Sequence, residues 1–169
     1  MFTIQPERAE HGPAIDQLLD HSFGLDRSRR TVYRLRDGLA PIEGLCHVAL
    51  AEGELVGSLR FWPVAISGLA AALLGPLAVE PRLQGRGIGQ ALVRHGLDRA
   101  TRLGYALAVL VGSPEYYRRF GFVPATPLGL TLPGPVEPER FQVRELWPGS
   151  LALARGPVTR HDDAERLSA

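Results

Sequence analysis

The chain of 169 residues contains no lysine and no asparagine, and it has a single cysteine. Without lysine, neither Schiff-base formation nor proton abstraction by a lysine amine is available. Because Cys46 has no second cysteine, no intrachain disulfide can form and no pair of thiols can hold a structural zinc. These absences favour a reducing setting, and we interpret Cys46 as a small buried apolar residue.

Charge and hydropathy exclude further classes of protein. The 19 Lys+Arg residues are all arginine, and 18 acidic residues nearly balance them, which gives a formal net charge of +1. A protein with so small a charge lacks the broad positive footprint of a nucleic-acid-binding protein. No apolar run reaches the length of a membrane span, and the first residues do not resemble a signal peptide. We therefore expect a cytoplasmic protein that binds neither nucleic acid nor membrane.

Helical periodicity appears twice before the first predicted hairpin. Apolar residues recur at helical spacing from His11 to Phe23, and Gly24 stands where a helix end favours the left-handed conformation. A second helix is predicted over residues 29–38. We interpret the arginines of residues 27–36 as a solvated helix face or a cleft rim.

Strands dominate the middle of the chain. Residues 46–51 and 54–66 form a predicted antiparallel hairpin around a Glu-Gly turn. Residues 70–79 form a nearly continuous apolar strand, but Pro76 cannot donate to a sheet ladder. The sequence therefore predicts a bulge or splay, which would expose backbone groups to an extended ligand that carries amides.

A glycine-rich loop leads from this strand into a predicted helix that ends at Gly104, and residues 105–111 form the following parallel strand. Ser113, Pro114 and Gly121 suit the N-cap, first and C-cap positions of a short helix. A last strand is predicted over residues 141–147. The chain then becomes polar, and residues 156–169 are predicted to form a frayed tail.

Gly85, Gly87 and Gly89 in the loop allow positive φ angles and a close approach of backbone to ligand. The N–H groups of the first helical turn and the helix dipole favour phosphate oxygens, and Arg82 and Arg86 flank the loop. This pattern predicts a pyrophosphate site, and the structural alternative is a turn that only tightens strand-to-helix packing.

Two other phosphate loops are excluded by their residues. A P-loop requires a lysine, which the chain lacks. A dinucleotide fingerprint requires a third glycine where Leu92 stands.

Gln84, Gly87 and Gly89 match the Q/R-x-x-G-x-G/A loop of the GNAT superfamily of coenzyme A-dependent N-acetyltransferases. The segment from Tyr117 to Phe122 matches that family's Y-x-x-x-G-F signature. The chain thus resembles this superfamily over about residues 73–124, and its wider pattern resembles the YhbS-like branch. The chain departs from many relatives in having no asparagine before the tyrosine.

The resemblance implies an α/β (α+β) fold in one domain of residues 1–155, with a mixed, splayed sheet and helices on both faces. It implies direct transfer of acetyl from acetyl-CoA to a primary amine of a small molecule, peptide or protein. The alternatives are a non-catalytic acyl-CoA sensor or interaction domain, and an enzyme that uses another acyl-CoA. We propose no metal site, and the oligomeric state stays open between a monomer and a homodimer.

The resemblance also assigns roles. Tyr117 would be the general acid at the leaving thiolate, and the N–H of Leu77 would donate to the oxyanion. The implied acetyl-CoA-binding residues are Leu77, Ala78, Val79, Gln84, Gly85, Arg86, Gly87, Ile88, Gly89 and Tyr117.

Other side chains have alternative interpretations. Tyr116 and Tyr117 point about 100° apart on a helix, and we assign Tyr116 to packing against Phe120 and Tyr117 to chemistry.

An amine must lose a proton before it attacks, so a base is desirable. Four residues are candidates by position, although each suits a structural role: Glu43, His47, Glu80 and Glu115.

Overall fold

The computed structural model describes residues 1–25, 27 and 30–161 as a mixed sheet flanked by helices. No helix in these ranges has both the length and the hydropathy needed to cross a bilayer. The strands are β1 (Thr3–Pro6), β2 (His47–Ala51), β3 (Glu54–Ile66), β4 (Leu69–Val79), β5 (Leu107–Val111), β6 (Val123–Pro124), β7 (Leu130–Thr131), β8 (Phe141–Glu145) and β9 (Gly156–Arg160). The helices are α1 (Gly12–Phe23), α2 (Val32–Arg36), α3 (Ile88–Arg102), α4 (Pro114–Tyr117) and α5 (Ser150–Leu153).

The main sheet has the strand order β1-β2-β3-β4-β5-β8-β6. All neighbours along this path are antiparallel except β4 and β5, which are parallel because α3 makes the crossover between them. The mixed α/β sheet that the sequence predicted is therefore confirmed.

The first hairpin follows directly from its turn residues. Glu52 and Gly53 both have positive φ angles, of 51° and 79°, and they connect β2 to β3. Two central residues with positive φ match the twist of antiparallel strands, and glycine takes the second position at no steric cost. The predicted Glu-Gly hairpin is confirmed.

The predicted bulge in β4 is also present. The register between β3 and β4 shifts between Leu59 and Phe61, because two residues of β4, Gly75 and Pro76, lie opposite one residue of β3. Such insertions bend a strand and increase its twist. On the other side of β4, the pairing with β5 ends at Leu73 and Val109. The two parallel strands therefore diverge beyond this point, as the sequence predicted.

Helix α3 covers one face of the sheet. Leu92, Val93 and Leu97 are buried against β3, β4 and β5, in a cluster that includes Phe61. A Cβ atom at Gly96 would lie 2.5 Å from the ring of Phe61, so only glycine allows this approach of helix and sheet. The opposite face carries a second core cluster around Phe141, and α1 packs in a third.

Two sequence predictions need correction. The second helix is shorter than predicted: within the described residues α2 spans Val32–Arg36, and Arg29 lies outside them. Arg36 belongs to no solvated face, since it is only 7% exposed. The predicted tail is wrong in its first five residues, because Gly156–Arg160 form β9, which pairs with β3 and β7. Residues 162–169 of that tail lie outside the described residues.

We expect Gly96→Ala to destabilise the fold by about 1–3 kcal/mol, although alanine favours helices more than glycine does, because the added methyl overlaps the buried Phe61 ring. Urea unfolding measures this change. Gly12→Ala is the matched control, since a Cβ there meets nothing within 4 Å and its φ of −51° suits any residue. Equal stability of the two variants would contradict the proposed constraint.

Candidate active site

The N-terminus of α3 presents unpaired backbone donors to an open space. Gly87 is the N-cap residue with a φ of 86°, and its carbonyl accepts the N–H of Ala91 at 3.0 Å. The N–H groups of the residues between them have no intrahelical acceptor, as at any helix start. A Cβ atom at Gly85 or Gly87 would meet nothing within 4 Å. Gly85 and Gly87 therefore tighten no packing, and the space beside them is free for a ligand.

The edge of β4 offers a second set of donors. The N–H of Glu80 donates to the carbonyl of Val56 in β3 at 2.8 Å, and β3 and β4 keep one register from there to Leu77. Hydrogen-bonded pairs alternate along an antiparallel ladder. The N–H groups of Val79 and Leu77 therefore point away from β3, to the side from which β5 has diverged.

These two sets of donors border one cavity. It has a volume of about 460 Å³ and lies between β4, the start of α3 and the tyrosines of α4. Its lining combines the predicted loop with residues from the other two elements: Leu77, Val79, Leu83, Gln84, Gly85, Gly87, Ile88, Gly89, Gln90, Ser113, Tyr116, Tyr117 and Arg119. We call it the coenzyme-side cavity.

Local signals in the sequence place α4 against this cavity. The Ser113 hydroxyl accepts the N–H of Tyr116 at 3.3 Å and caps the helix, and Gly121 ends the following turn with a φ of 86°. The predicted short helix is therefore confirmed.

Burial raises the pKa of Tyr117 above its ordinary value, and Tyr116 adds to this effect while Arg140 opposes it. The Tyr117 phenol therefore keeps its proton across the neutral range.

Tyr116 has a mixed role. Its ring packs edge-on against Phe120 with centroids 5.6 Å apart, as predicted. Its hydroxyl, however, lies 2.7 Å from the position that a Cβ at Gly89 would take, at the start of α3. Tyr116 therefore lines the coenzyme-side cavity in addition to packing.

A second cavity lies on the other side of the strand divergence. It has a volume of about 230 Å³ and is bordered by α2, the β4 bulge and the end of β5. Leu77, Ser113 and Tyr117 line both cavities. The two spaces therefore adjoin at these three residues, and we call the second one the arginine-lined cavity.

Four arginines give this cavity its name: Arg27, Arg30, Arg36 and Arg140. Among the residues that the structure describes, no aspartate, glutamate or histidine lines it. All charged side chains in the described lining are therefore positive, although the whole chain is almost neutral.

The structure brings most of the predicted binding residues together, with two exceptions. Ala78 is 3% exposed and packs in the cluster of α1, on the opposite face of β4. By the same alternation its N–H is turned toward β3, so neither its side chain nor its N–H reaches the cavity. Arg86 is exposed and outside the lining, and so is Arg82, which pairs with Glu54 and Glu80.

The four candidate bases are all outside both cavities: Glu43, His47, Glu80 and Glu115. His47 is 5% exposed, and burial, then His95 and Arg99, lower its pKa to about 4. It is therefore a neutral core residue against His95, with ring centroids 4.4 Å apart. In the described part of the chain, no three His, Cys, Asp or Glu residues group closely enough to hold a metal ion.

Sequence reasoning missed several lining residues. Ser113 was identified only as a cap, although it borders both cavities. Arg119 follows Tyr116 at helical spacing and lies over its ring at 5.0 Å, so the i, i+3 pattern held a usable signal. Arg36 and Arg140 meet only in the folded chain, and no local pattern indicates their proximity.

Known proteins resemble this chain in sequence and architecture. The model of the Acetyltransferase (GNAT) family matches residues 13–122. The uncharacterized N-acetyltransferase YhbS of Escherichia coli (strain K12) is 34% identical over 170 residues, which cover 97% of this chain and 99% of the relative. A crystal structure of YhbS from Escherichia coli in complex with CoA has a TM-score of 0.81 and covers 98% of this chain and 92% of that one. A GNAT family acetyltransferase from Brucella melitensis in complex with acetyl-CoA is 29% identical, with a TM-score of 0.70 and coverage of 95% and 96%.

The segment that the family model matches contains the glycine loop, the divergence of β4 and β5, and Tyr117. The two relatives of known structure named above hold CoA and acetyl-CoA, and their similarity extends over nearly the whole chain. The resemblance indicated by the motifs is thus confirmed, and this chain belongs to the GNAT family of acetyltransferases.

Proposed function

We propose that this acetyltransferase passes acetyl from acetyl-CoA directly to a primary amine of a small molecule, peptide or protein. The observation that carries the proposal is the meeting of two cavities at Leu77, Ser113 and Tyr117. One cavity has the donors that a coenzyme requires, and the other has room for an acceptor. A thioester at the junction is accessible from the acceptor side, so no acyl-enzyme is needed.

The residues of the coenzyme-side cavity fit coenzyme A. The start of α3 supplies free N–H groups and the positive end of a helix dipole for the pyrophosphate. The space above Gly87 is open to 4 Å, which leaves room for phosphate oxygens. The outward N–H groups of Val79 and Leu77 suit the amide carbonyls of an extended pantetheine and the thioester carbonyl.

The transfer balances without a further reactant. The amine nitrogen forms a bond to the acetyl carbon, the bond from that carbon to sulfur breaks, and the amine loses one proton while the departing thiolate gains one. The N–H of Leu77 donates to the carbonyl oxygen as its negative charge develops. Tyr117 donates its phenolic hydrogen toward the sulfur.

The high pKa of Tyr117 defines its role more closely. An ordinary thiol has a pKa of about 8.5 and an ordinary phenol one of about 10, so the phenol is the weaker acid. Burial raises the pKa of Tyr117 further. Full transfer of its proton to a solvated thiolate is therefore unfavourable. Tyr117 acts first as a hydrogen-bond donor to the developing charge, and proton transfer follows only where the thiolate is itself desolvated.

A sensor that binds acyl-CoA without turnover is the rival function, and an enzyme for another acyl-CoA is a second one. Amine-dependent release of free coenzyme A thiol from acetyl-CoA tests all three. Binding of coenzyme A without release for any amine supports the sensor, and faster release from a longer acyl-CoA supports the second rival. A cytoplasmic location, where acetyl-CoA and reduced Cys46 coexist, is part of the same proposal.

The loop assignment predicts that Gly87→Val weakens coenzyme A binding by at least about tenfold, or about 1.4 kcal/mol, because the side chain fills the phosphate space. Isothermal titration calorimetry measures the affinity. Gly149→Val is the matched control: Gly149 is also a helix N-cap, its φ is 88°, and a Cβ there also meets nothing within 4 Å. Both variants carry the same backbone strain, so equal affinities in folded proteins would refute the assignment.

The role of Tyr117 predicts that Tyr117→Phe lowers kcat by about 10²- to 10⁴-fold and leaves the affinity for acetyl-CoA nearly unchanged, because the ring stays and only the hydroxyl is lost. Steady-state kinetics and calorimetry separate the two effects. Tyr116→Phe is the control, and we expect it to affect coenzyme binding more than kcat. If Tyr116→Phe abolishes turnover and Tyr117→Phe does not, the roles are exchanged. If neither lowers kcat, water is the acid.

A further inference from the structure

The charges around the arginine-lined cavity are unbalanced. Arg27 forms an ion pair with Asp20 in α1. Arg30 lies over the ring of Phe23 at 5.1 Å, and no ion pair involving Arg30, Arg36 or Arg140 occurs among the described residues. The cavity therefore holds a surplus of positive charge.

Besides Asp20, two carboxylates of the described residues lie nearby, but neither lines this cavity. Glu137 lines an adjoining groove together with Arg30 and Arg140. Asp37 is exposed and lines a depression on the outer side of Arg36. Both face water at the rim, where they screen the arginines only weakly.

Arg36 is the most unusual member of the group. It is 7% exposed, and its Nε is buried without a hydrogen-bond partner in the described residues. Its guanidinium lies 4.8 Å from the ring centroid of Tyr33 and 5.7 Å from that of Trp62. Burial is the largest effect on its pKa and lowers it to about 10, while Tyr33 opposes the shift. A buried guanidinium that has no ion pair among the described residues and an Nε without a hydrogen-bond partner is unfavourable, and an anionic ligand would offset that cost.

The surrounding residues hold this guanidinium toward the strand divergence. The Trp62 indole N–H donates to the carbonyl of Gly75 at 2.8 Å, which fixes the ring beside Arg36. A terminal nitrogen of Arg36 lies 2.9 Å from the position that a Cβ at Gly75 would take. Because Gly75 is in the bulge just before Leu77, the charge lies at the acceptor side of the reaction centre.

We propose that the acceptor is a small amine that also carries a carboxylate or phosphate group, and that Arg36 and Arg140 bind this anion. This inference rests on the proposed acetyl transfer and names its substrate class. A guanidinium on a rigid aromatic support matches the planar, charge-assisted hydrogen bonds of a carboxylate or phosphate. The volume of about 230 Å³ suits a small molecule.

The same charges bear on the proton of the amine. Several guanidinium groups near a bound amine disfavour its ammonium form, because like charges lower the pKa of an ammonium. The anionic group of the acceptor supplies the attraction that the amine alone lacks. The arginines thereby promote the neutral nucleophile, in a cavity where no described carboxylate or histidine is available as a base.

Matched pairs of amines test the inference through thiol release from acetyl-CoA. Glycine is compared with glycinamide, and O-phosphoethanolamine with ethanolamine, so the two pairs also distinguish carboxylate from phosphate. We expect at least about tenfold higher kcat/KM for the anionic member of one pair. If kcat/KM for both neutral amines equals or exceeds that for their anionic partners, the proposed anionic substrate class is wrong. The proposed acetyl transfer would still stand, because the neutral amines would be acetylated.

Substitutions of the two arginines test whether they produce the preference for anionic amines. Arg36→Met keeps an apolar stem beside Tyr33 and Trp62, and Arg140→Gln alters a half-buried arginine, so the test stands even if the first variant fails to fold. Each should raise KM for the anionic amine at least about tenfold and raise KM for its neutral partner by a clearly smaller factor. Arg102→Gln removes an exposed arginine of α3 and should change neither.

Two further readouts separate this inference from its alternatives. Affinity for coenzyme A should be the same in Arg36→Met and wild type, and a loss equal to the loss for the amine would assign Arg36 to the coenzyme and overturn the inference. If no amine is acetylated, titration of CoA-saturated protein with glycine and O-phosphoethanolamine measures directly whether the cavity binds an anionic amine. Binding that Arg36→Met weakens supports the anion site, and no binding of either probe refutes it.

Discussion

The divergence of β4 from β5 is the constraint on which the site depends. Two parallel strands that stay paired leave no backbone donor free between them, whereas here the pairing ends at Leu73 and Val109. The bulge at Gly75–Pro76 turns β4 away. From that point the outward N–H groups of β4 face a gap, the start of α3 closes one side of it, and α4 closes another. Both cavities are consequences of this gap, and Leu77 and Tyr117 border both because they lie at its mouth.

Arg36 has an energetic cost that the fold itself does not explain. Removal of a guanidinium from water is unfavourable unless an opposite charge or full hydrogen bonding compensates for it. Stacking on Tyr33 and Trp62 recovers only part of that cost, since a cation over an aromatic ring contributes about 0.5–2 kcal/mol. A buried leucine would fill the same space without the penalty. The presence of a charge at this position is therefore better explained by binding than by stability.

Local chemistry explains which parts were predictable from the sequence. The hairpin turn, the glycine loop and the capped tyrosine helix each depend on residues within a few positions, such as Ser113 with Tyr116, and all three are present. The proposed role of Tyr117 came from the family resemblance. Strand β9 was missed because its partners in β3 lie about ninety residues earlier and its composition is polar. The arginine-lined cavity was missed for the same reason: α2, β4 and Arg140 are remote in sequence and adjoin only in the fold.

One positive field affects three groups in the proposed reaction. It attracts the anionic part of an acceptor, it lowers the proton affinity of the attacking amine, and it stabilises negative charge that develops at the sulfur. The third effect is already visible at Tyr117, where burial raises the pKa of the phenol and the positive charge of Arg140 partly opposes that shift. A carboxylate base in the same cavity would neutralise part of this field and weaken its hold on an anionic acceptor. The absence of carboxylates from the described lining is therefore consistent with a cavity in which the arginines lower the pKa of the bound ammonium and its proton passes to water.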